Sequence, residues 1–283
     1  MSRAPASSTR HPPASSRNKR TSSHKPDESN SSQPKAGTTR VPEKPISPDV
    51  KTFRFLQGIV DTRWNREKFR IHRAAHHIPF DAASLTKFVM SASMAARDPT
   101  SARINRFAER YAMHEKILKE KTSIETVEDM IDEYFDRIDE IFFFKLLSSK
   151  TTTGNGERRR LVIVDIKESM PGLDGLFHRS NDTLDISITD SRHKKHPLGA
   201  LIVTLAHEMT HAYLEIFSDN RDVRHEEWLS DQKGHGKMFW ILLKFIINNI
   251  FMFTRSNSFW EQSLKSEDEQ YRCFDRTYVQ RDK

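Results

Sequence analysis

The sequence is poor in cysteine and glycine, with one cysteine, Cys273, and nine glycines among 283 residues. A single cysteine excludes an intrachain disulfide framework and every zinc module that needs two or more cysteines. The N-terminus also lacks the apolar core of a signal peptide. We therefore expect a soluble, intracellular protein.

Long hydrophobic runs are also missing. The longest, MFWILLKFIINNIFMF at 238–253, has 16 residues and is interrupted by Lys244, Asn248 and Asn249. A membrane-spanning helix needs about 20 predominantly apolar residues. The run is therefore predicted to be a buried core helix, and no membrane partner is expected.

Aromatic and aliphatic side chains are almost absent from residues 1–52. The first fifty residues hold eleven serines, eight of the twelve prolines and five of the seven net positive charges. Such a segment cannot bury enough apolar area to offset the entropy of ordering it. We predict a disordered basic tail over 1–52, whose RNKR run at 17–20 is compatible with nuclear import.

Three segments after the tail have helical periodicity, at 52–72, 80–96 and 100–121. Asp98 and Pro99 separate the last two, and a Thr or Ser cap opens the third. We expect a helical N-terminal region over 53–123. The sequence does not indicate whether this region packs on the rest of the chain or stands apart.

The segment 124–255 mixes helices and strands. An amphipathic helix is predicted over 124–147, strands over 160–166 and 184–190, and a long buried helix over 196–217 that has Pro197 in its first turn. Glycines and Pro171 between the strands suggest a hairpin-like or irregular connection. The predicted fold class is α+β, a short sheet packed by helices, followed by a C-terminal tail over 256–283.

The long buried helix contains His207, Glu208 and His211 in the order His-Glu-x-x-His. Positions i and i+4 lie on one helix face, so both imidazoles can bind one metal ion. A glutamate beside the first histidine can accept a proton from a water molecule that a zinc ion has acidified. Two buried histidines and a glutamate in an apolar helix would be costly without such a partner.

A third candidate ligand, His235, lies between Gly234 and Gly236, 24 residues after His211. The flanking glycines allow a tight turn that delivers His235 from the start of the next helix. Three histidines leave a fourth tetrahedral position open, which is typical of a catalytic zinc site. The predicted cofactor is therefore Zn²⁺, bound by His207, His211 and His235.

Two motifs, TLAHEMTHAY and GHGKMFW, resemble those of the SprT-like zinc metalloproteases, the family of the Spartan-type proteases. YFDRIDEIFFFKLL and DISITD resemble the family's first helix and a strand, so the resemblance covers about 124–255. The step from His211 to His235 is longer than is common in the family. The single cysteine excludes the Cys-rich zinc ribbon that many members carry after the protease core.

The resemblance implies a zincin-like fold, zinc ligation by His207, His211 and His235, and Glu208 as the catalytic base. It implies a zinc-dependent endopeptidase that acts on protein substrates, in the best-known members proteins crosslinked to DNA. DNA is left open as a second partner, and a nuclear location is favoured over a cytoplasmic one. The alternative is a catalytically silent, zinc-stabilised module that binds chromatin or nucleic acid.

Two further residues near the motif are weighed against simpler roles. Tyr213 can reach the site or pack in the core, and packing is favoured. His225 can act as a lid residue, but a solvated loop histidine is favoured. The sequence leaves the oligomeric state open.

Overall fold

The computed structural model of the chain describes residues 48–75, 80–119, 123–189, 196–219 and 235–256. Over these residues the fold is mixed α+β, with small sheets and several helices, as predicted. The predicted N-terminal tail lies outside the described residues up to residue 47, and the predicted C-terminal tail does so beyond Ser256. The first helix begins at Pro48, so the predicted tail boundary at residue 52 falls inside a helix.

The N-terminal region has more and shorter helices than the three predicted segments. They are α1 (Pro48–Thr62), α2 (Arg66–Ala75), α3 (Ala82–Ala92), α4 (Met94–Arg97) and α5 (Ala102–Lys119). The helix breaks after α1 because the Asn65 side chain caps a new helix. Its Oδ1 accepts a hydrogen bond from the Lys68 backbone N–H at 3.0 Å. Asp81 caps α3 in the same way, through the Ser84 amide at 2.6 Å.

Helix α6 (Ile124–Phe142) ends five residues before the predicted end at 147. The chain reverses at Phe144 and Lys145, which both have positive φ angles. The buried Asp139 carboxylate accepts hydrogen bonds from the backbone N–H groups of Leu147 and Ser148 at 3.1 and 2.7 Å. These side-chain hydrogen bonds fix the end of the helix.

Five short strands form two sheets: β1 (Lys150–Thr152), β2 (Arg158–Arg160), β3 (Ile163–Ser169), β4 (Gly175–His178) and β5 (Thr183–Thr189). β1 and β2 form an antiparallel pair, and the other sheet has the order β3-β5-β4. Of the two expected connections between the predicted strands, hairpin-like or irregular, the hairpin-like one is wrong, because β3 and β5 pair in parallel. The antiparallel partner of β5 is β4, a four-residue strand that is too short to show alternation in the sequence.

Two apolar helices follow among the described residues, α7 (Leu198–Phe217) and α8 (Lys237–Thr254). They pack on each other, α7 also contacts β4 and β5, and α8 contacts α3 and α5. Helix α8 is long and apolar enough to span a membrane by length and composition alone, which is weak evidence for a span. One hydrophobic core runs from Phe55 to Ile250, so the N-terminal helices pack against the sheet and the two long helices.

Candidate metal centre

Helix α7 places His207, Glu208 and His211 on the side of the helix that meets α8 and β4. Its remaining faces carry leucine, isoleucine and alanine side chains that are buried in the core. The helix is therefore held by apolar contacts on several sides, and the two histidine rings lie one turn apart with centroids separated by 5.1 Å. The predicted i, i+4 pairing of the two rings is present.

His235 reaches the same point from a different element. It stands two residues before α8, and Gly236 is the N-cap of that helix. The Nε2 atoms of His235 and His207 are 2.9 Å apart, and one ligand nitrogen from each of the three histidines lies within 4.8 Å of the others. The structure thus brings together the three predicted ligands, which we call the histidine cluster.

The surroundings of the histidine cluster are aromatic. Phe239 stacks on the His211 ring at 4.2 Å and on the His235 ring at 4.6 Å. Trp240 lies 5.0 Å from His235, edge to face. Phe239 and Trp240 therefore restrict the orientation of the ligand rings and exclude water from one side of the cluster.

Burial keeps the α7 histidines neutral. Burial is the largest cause that lowers the pKa of His207 to about 3 and that of His211 to about 2. The charge of His235 contributes at both residues, and the charges of His207 and Arg179 contribute at His211. Neutral imidazoles with free lone pairs are the form that binds a metal ion.

The spacing of the three nitrogens decides whether they could hold a metal ion. In a tetrahedral zinc site with Zn–N bonds of about 2.1 Å, ligand nitrogens stand about 3.4 Å apart. The nitrogens of the histidine cluster span 2.9 to 4.8 Å, on both sides of that value. The cluster could therefore hold a metal ion after small ring rotations, and an all-nitrogen set does not by itself identify the metal.

Glu208 is buried beside the histidine cluster. Its side-chain Oε1 lies 3.9 Å from His207 Nε2, and the residue is 5% exposed. Burial raises the pKa of Glu208 to about 8, although a hydrogen bond from the backbone N–H of Phe177 on β4 opposes that rise. The strand and the helix meet so closely that a Cβ atom at Gly175 would lie 2.8 Å from Glu208 Oε1. The glutamate is therefore held between α7 and β4.

Sequence reasoning missed Arg179 and Glu215. Glu215 lies on α7 four residues after His211, and it forms an ion pair with Arg179 at the end of β4. The i+4 spacing from His211 could have identified Glu215. Nothing in the sequence signals Arg179, because its position depends on the pairing of β4 with β5.

The other weighed residues are not part of the cluster. Tyr213 is fully buried and packs against Phe143 and Phe217, in agreement with the favoured packing role. His225, Gly234 and most of the insert between His211 and His235 lie outside the described residues.

Comparison with known proteins identifies no relative of the chain. No family model, no curated protein and no solved structure matches the chain. The conclusion about the site therefore rests on its own residues: three histidines that could hold a metal ion and a buried glutamate beside them.

Proposed function

We propose that the chain is a zinc-dependent endopeptidase of the SprT-like type, with a zincin-like arrangement of α6, β3–β5, α7 and α8. The observation that carries the proposal is the meeting of the three histidine nitrogens within 4.8 Å of one another, next to a buried glutamate. The SprT-like resemblance of the two motifs that contain these residues supports it.

His207, His211 and His235 would hold the ion, and zinc is the metal proposed because three neutral imidazoles suit it. A zinc ion bound there supplies Lewis acidity, which acidifies water and polarises a peptide carbonyl. The aromatic wall of Phe239 and Trp240 keeps that part of the site dry, so that electrostatic interactions in it are strong.

Glu208 is proposed as the general base. Its raised pKa of about 8 is close to working pH, the range in which a carboxylate accepts and returns a proton well. The N–H of Phe177 and the close backbone of Gly175 orient the carboxylate towards the histidine cluster. This chain would thus take a proton from water at a Glu208 oxygen and deliver it to the leaving amine.

A polypeptide substrate is supported by β4. In the three-stranded sheet β4 is an edge strand, and it runs directly past Glu208. An extended peptide can pair with the backbone groups of an edge strand, which would place its carbonyls beside the glutamate. Substrates bound or crosslinked to DNA, and a nuclear location, are part of the proposal only through the family resemblance.

The alternative is a catalytically silent zinc-stabilised module that binds nucleic acid. Such a module needs the three ligands but gains nothing from a carboxylate in a dry site, where its ionisation is penalised. The burial of Glu208 against β4 therefore favours the enzyme.

The variant Glu208→Gln tests the assignment of the base. We expect hydrolysis of an unfolded protein substrate to fall about a thousand-fold, with about one zinc per chain retained, because general-base catalysis contributes about 10²–10⁴-fold. The assay compares cleavage with and without DNA, together with metal analysis. Glu128→Gln, which removes an exposed charge on α6, is the control and should behave as the unmodified chain; undiminished cleavage by Glu208→Gln would refute the proposal.

A further inference from the structure

A cleft of about 670 Å³ lies between α2 and the C-terminal end of α7. Its described lining includes four arginines, at positions 63, 66, 70 and 73, together with Phe69. Phe69 lies beneath two of the guanidinium groups, 5.9 Å from that of Arg63 and 5.2 Å from that of Arg73. The cleft thus combines an aromatic wall with a group of cations.

The four arginines differ in their partners. Arg63 forms two hydrogen bonds to the buried Asp182, at 2.9 and 3.0 Å. Arg73 donates to the carbonyl oxygen of Ser218 at 3.0 Å, just after the end of α7, and lies 3.8 Å from Asp219. Both are therefore fixed in the wall of the cleft.

Arg66 and Arg70 are different. They stand four residues apart on the same face of α2, both are exposed, and neither forms an ion pair with any residue that the structure describes. A planar guanidinium with free N–H groups binds a carboxylate through two parallel hydrogen bonds. The cleft therefore presents two cations that can take up an anionic group.

The cleft adjoins the histidine cluster through Glu215. This residue lines the cleft, and its position on α7 is one turn beyond His211, an axial distance of about 6 Å. Glu215 is also paired with Arg179 at the end of β4. The cleft and the histidine cluster thus share helix α7 and lie about one helical turn apart along it.

We propose that this cleft is a substrate subsite that takes an acidic side chain of the polypeptide, close to the bond that is cut. The inference rests on the proposed peptidase function and adds a selectivity to it. Arg66 and Arg70 bind the carboxylate, and Phe69 contacts the methylene groups of the same side chain. Arg63 and Arg73 hold the wall in place.

A single carboxylate fits the cleft better than a nucleic-acid strand does. The lining also contains Glu67, Glu215 and Asp219. A row of phosphates would be repelled by these three carboxylates, whereas one acidic side chain needs only the two guanidinium groups that form no ion pair with a described residue. The mixed charges of the wall therefore indicate a local anion site.

The test measures peptide binding to the full chain carrying Glu208→Gln and loaded with zinc, so that nothing is cleaved. The probes are two fluorescein-labelled unstructured peptides that differ only in having three glutamates or three glutamines. The glutamate peptide should bind about ten-fold more tightly, which corresponds to about 1.4 kcal/mol, because a hydrogen bond to an ionised group is stronger than one to a neutral amide. Arg66→Gln with Arg70→Gln should abolish the difference and leave the affinity for the glutamine peptide unchanged.

The control replaces two exposed arginines outside the cleft, Arg106 and Arg158, by glutamine. It makes the same charge change and should preserve the ten-fold preference. Equal binding of both peptides by the starting protein, or a preference that survives the Arg66/Arg70 change, overturns the inference. So does a single-stranded oligonucleotide that loses binding in the Arg66/Arg70 variant while the peptide preference persists.

Cleavage by the chain with Glu208 intact separates the two proposals. If the glutamine peptide is cut equally by the unmodified chain and the Arg66/Arg70 variant, the peptidase function stands and the binding data decide the subsite. If no peptide or unfolded protein is cut by any variant, the peptidase function fails, and the binding data still decide whether the cleft prefers carboxylates.

Discussion

Two polar clusters among the described residues differ in how their polar groups are partnered. One is the histidine cluster. The other, which we call the α5–α6 cluster, consists of Arg110, His114, Glu133, Tyr134 and Arg137. Both contain a histidine and pack against leucine, isoleucine and aromatic side chains. In the α5–α6 cluster the polar side chains are hydrogen-bonded to one another.

In the α5–α6 cluster the charges and hydroxyls are matched. His114 Nδ1 lies 3.1 Å from the Tyr134 hydroxyl, and the Glu133 carboxylate accepts hydrogen bonds from Arg110 at 2.8 and 2.5 Å and from Arg137 at 2.7 Å. The hydrogen bond from Arg110 is the main reason that the pKa of Glu133 falls to about 2. Such a network stabilises the contact between two helices, because its polar groups are hydrogen-bonded to one another.

In the histidine cluster the ring nitrogens face one another. A neutral imidazole pair can share one hydrogen bond, which leaves further lone pairs directed at the same point. Glu208 beside them has a raised pKa of about 8, whereas Glu133 has a lowered one of about 2. The contrast indicates that a buried carboxyl beside several imidazole lone pairs, and not burial alone, marks a candidate site.

The largest expected effect comes from replacing one histidine of the histidine cluster, His211, by alanine. His211→Ala removes a proposed metal ligand, so metal affinity should fall by more than about a hundred-fold. Losing a group that only orients a ligand already lowers metal affinity by up to about a hundred-fold. The proposed hydrolysis should drop to background. The unfolding free energy of the metal-free protein should fall only through the lost ring contacts with Phe239 and the other two histidines, because His211 forms no hydrogen bond with a residue that the structure describes. Metal titration and urea unfolding of the metal-free chain measure the two effects.

His114→Ala is the matched exchange in the α5–α6 cluster, and the opposite result is expected. It leaves the buried Tyr134 hydroxyl without its histidine, which should lower the unfolding free energy by about 1–3 kcal/mol. The zinc content should stay the same. If His114→Ala lost zinc, or if His211→Ala destabilised the metal-free chain as much as His114→Ala does, the contrast between the clusters would be wrong.

The histidine cluster could be predicted from the sequence because two of its members are one helical turn apart. The third, His235, was predicted from its flanking glycines and from the apolar helix that follows it, both local signals. The position of Glu208 against Gly175 and Phe177 could not be predicted. It depends on the parallel pairing of β3 with β5, which brings the connecting strand β4 to the edge beside α7.

The cleft lined by Arg66 and Arg70 shows a second limit of prediction from the sequence. The spacing of Arg66, Arg70 and Arg73 is visible in the sequence and indicates one helix face. The cleft itself requires α2 to lie against the end of α7, about 145 residues away along the chain, a contact held by Arg73 and Ser218. Charge patterning thus identifies the face of the helix, but only the tertiary packing shows what that face meets.

A smaller effect is expected from Glu133→Gln, which should change how the unfolding free energy depends on pH. Because the pKa of Glu133 is lowered to about 2 in the folded chain, its ionised form stabilises the fold above the unfolded value of 4.5. That contribution is lost as the pH falls from 4.5 to 2. After allowance for solvent screening at a side chain that is 24% exposed, it is about 1–2 kcal/mol.

Unfolding of the two chains between pH 2 and 7 gives the measurement. The unmodified protein should be more stable than Glu133→Gln by a constant amount above pH 5, and the two should converge towards pH 2. Glu128→Gln, an exposed charge on the same helix, should show no such convergence. A difference that persists unchanged at pH 2 would mean that the ion pairs of Glu133 do not carry the stabilisation.

The smallest effect concerns Gly175, where the sheet touches the histidine site. A Cβ atom there would lie 2.7 Å from Thr204 Cγ2 and 2.8 Å from Glu208 Oε1, so Gly175→Ala must displace Thr204, Glu208 or the strand itself. We expect kcat to fall about three- to ten-fold with KM and zinc content unchanged, because catalysis is sensitive to sub-ångström displacement of a base. Gly154→Ala is the control, since its Cβ would meet only the Trp64 carbonyl at 3.9 Å. Equal kcat values for the two alanine variants would show that the contact between β4 and Glu208 does not position the base.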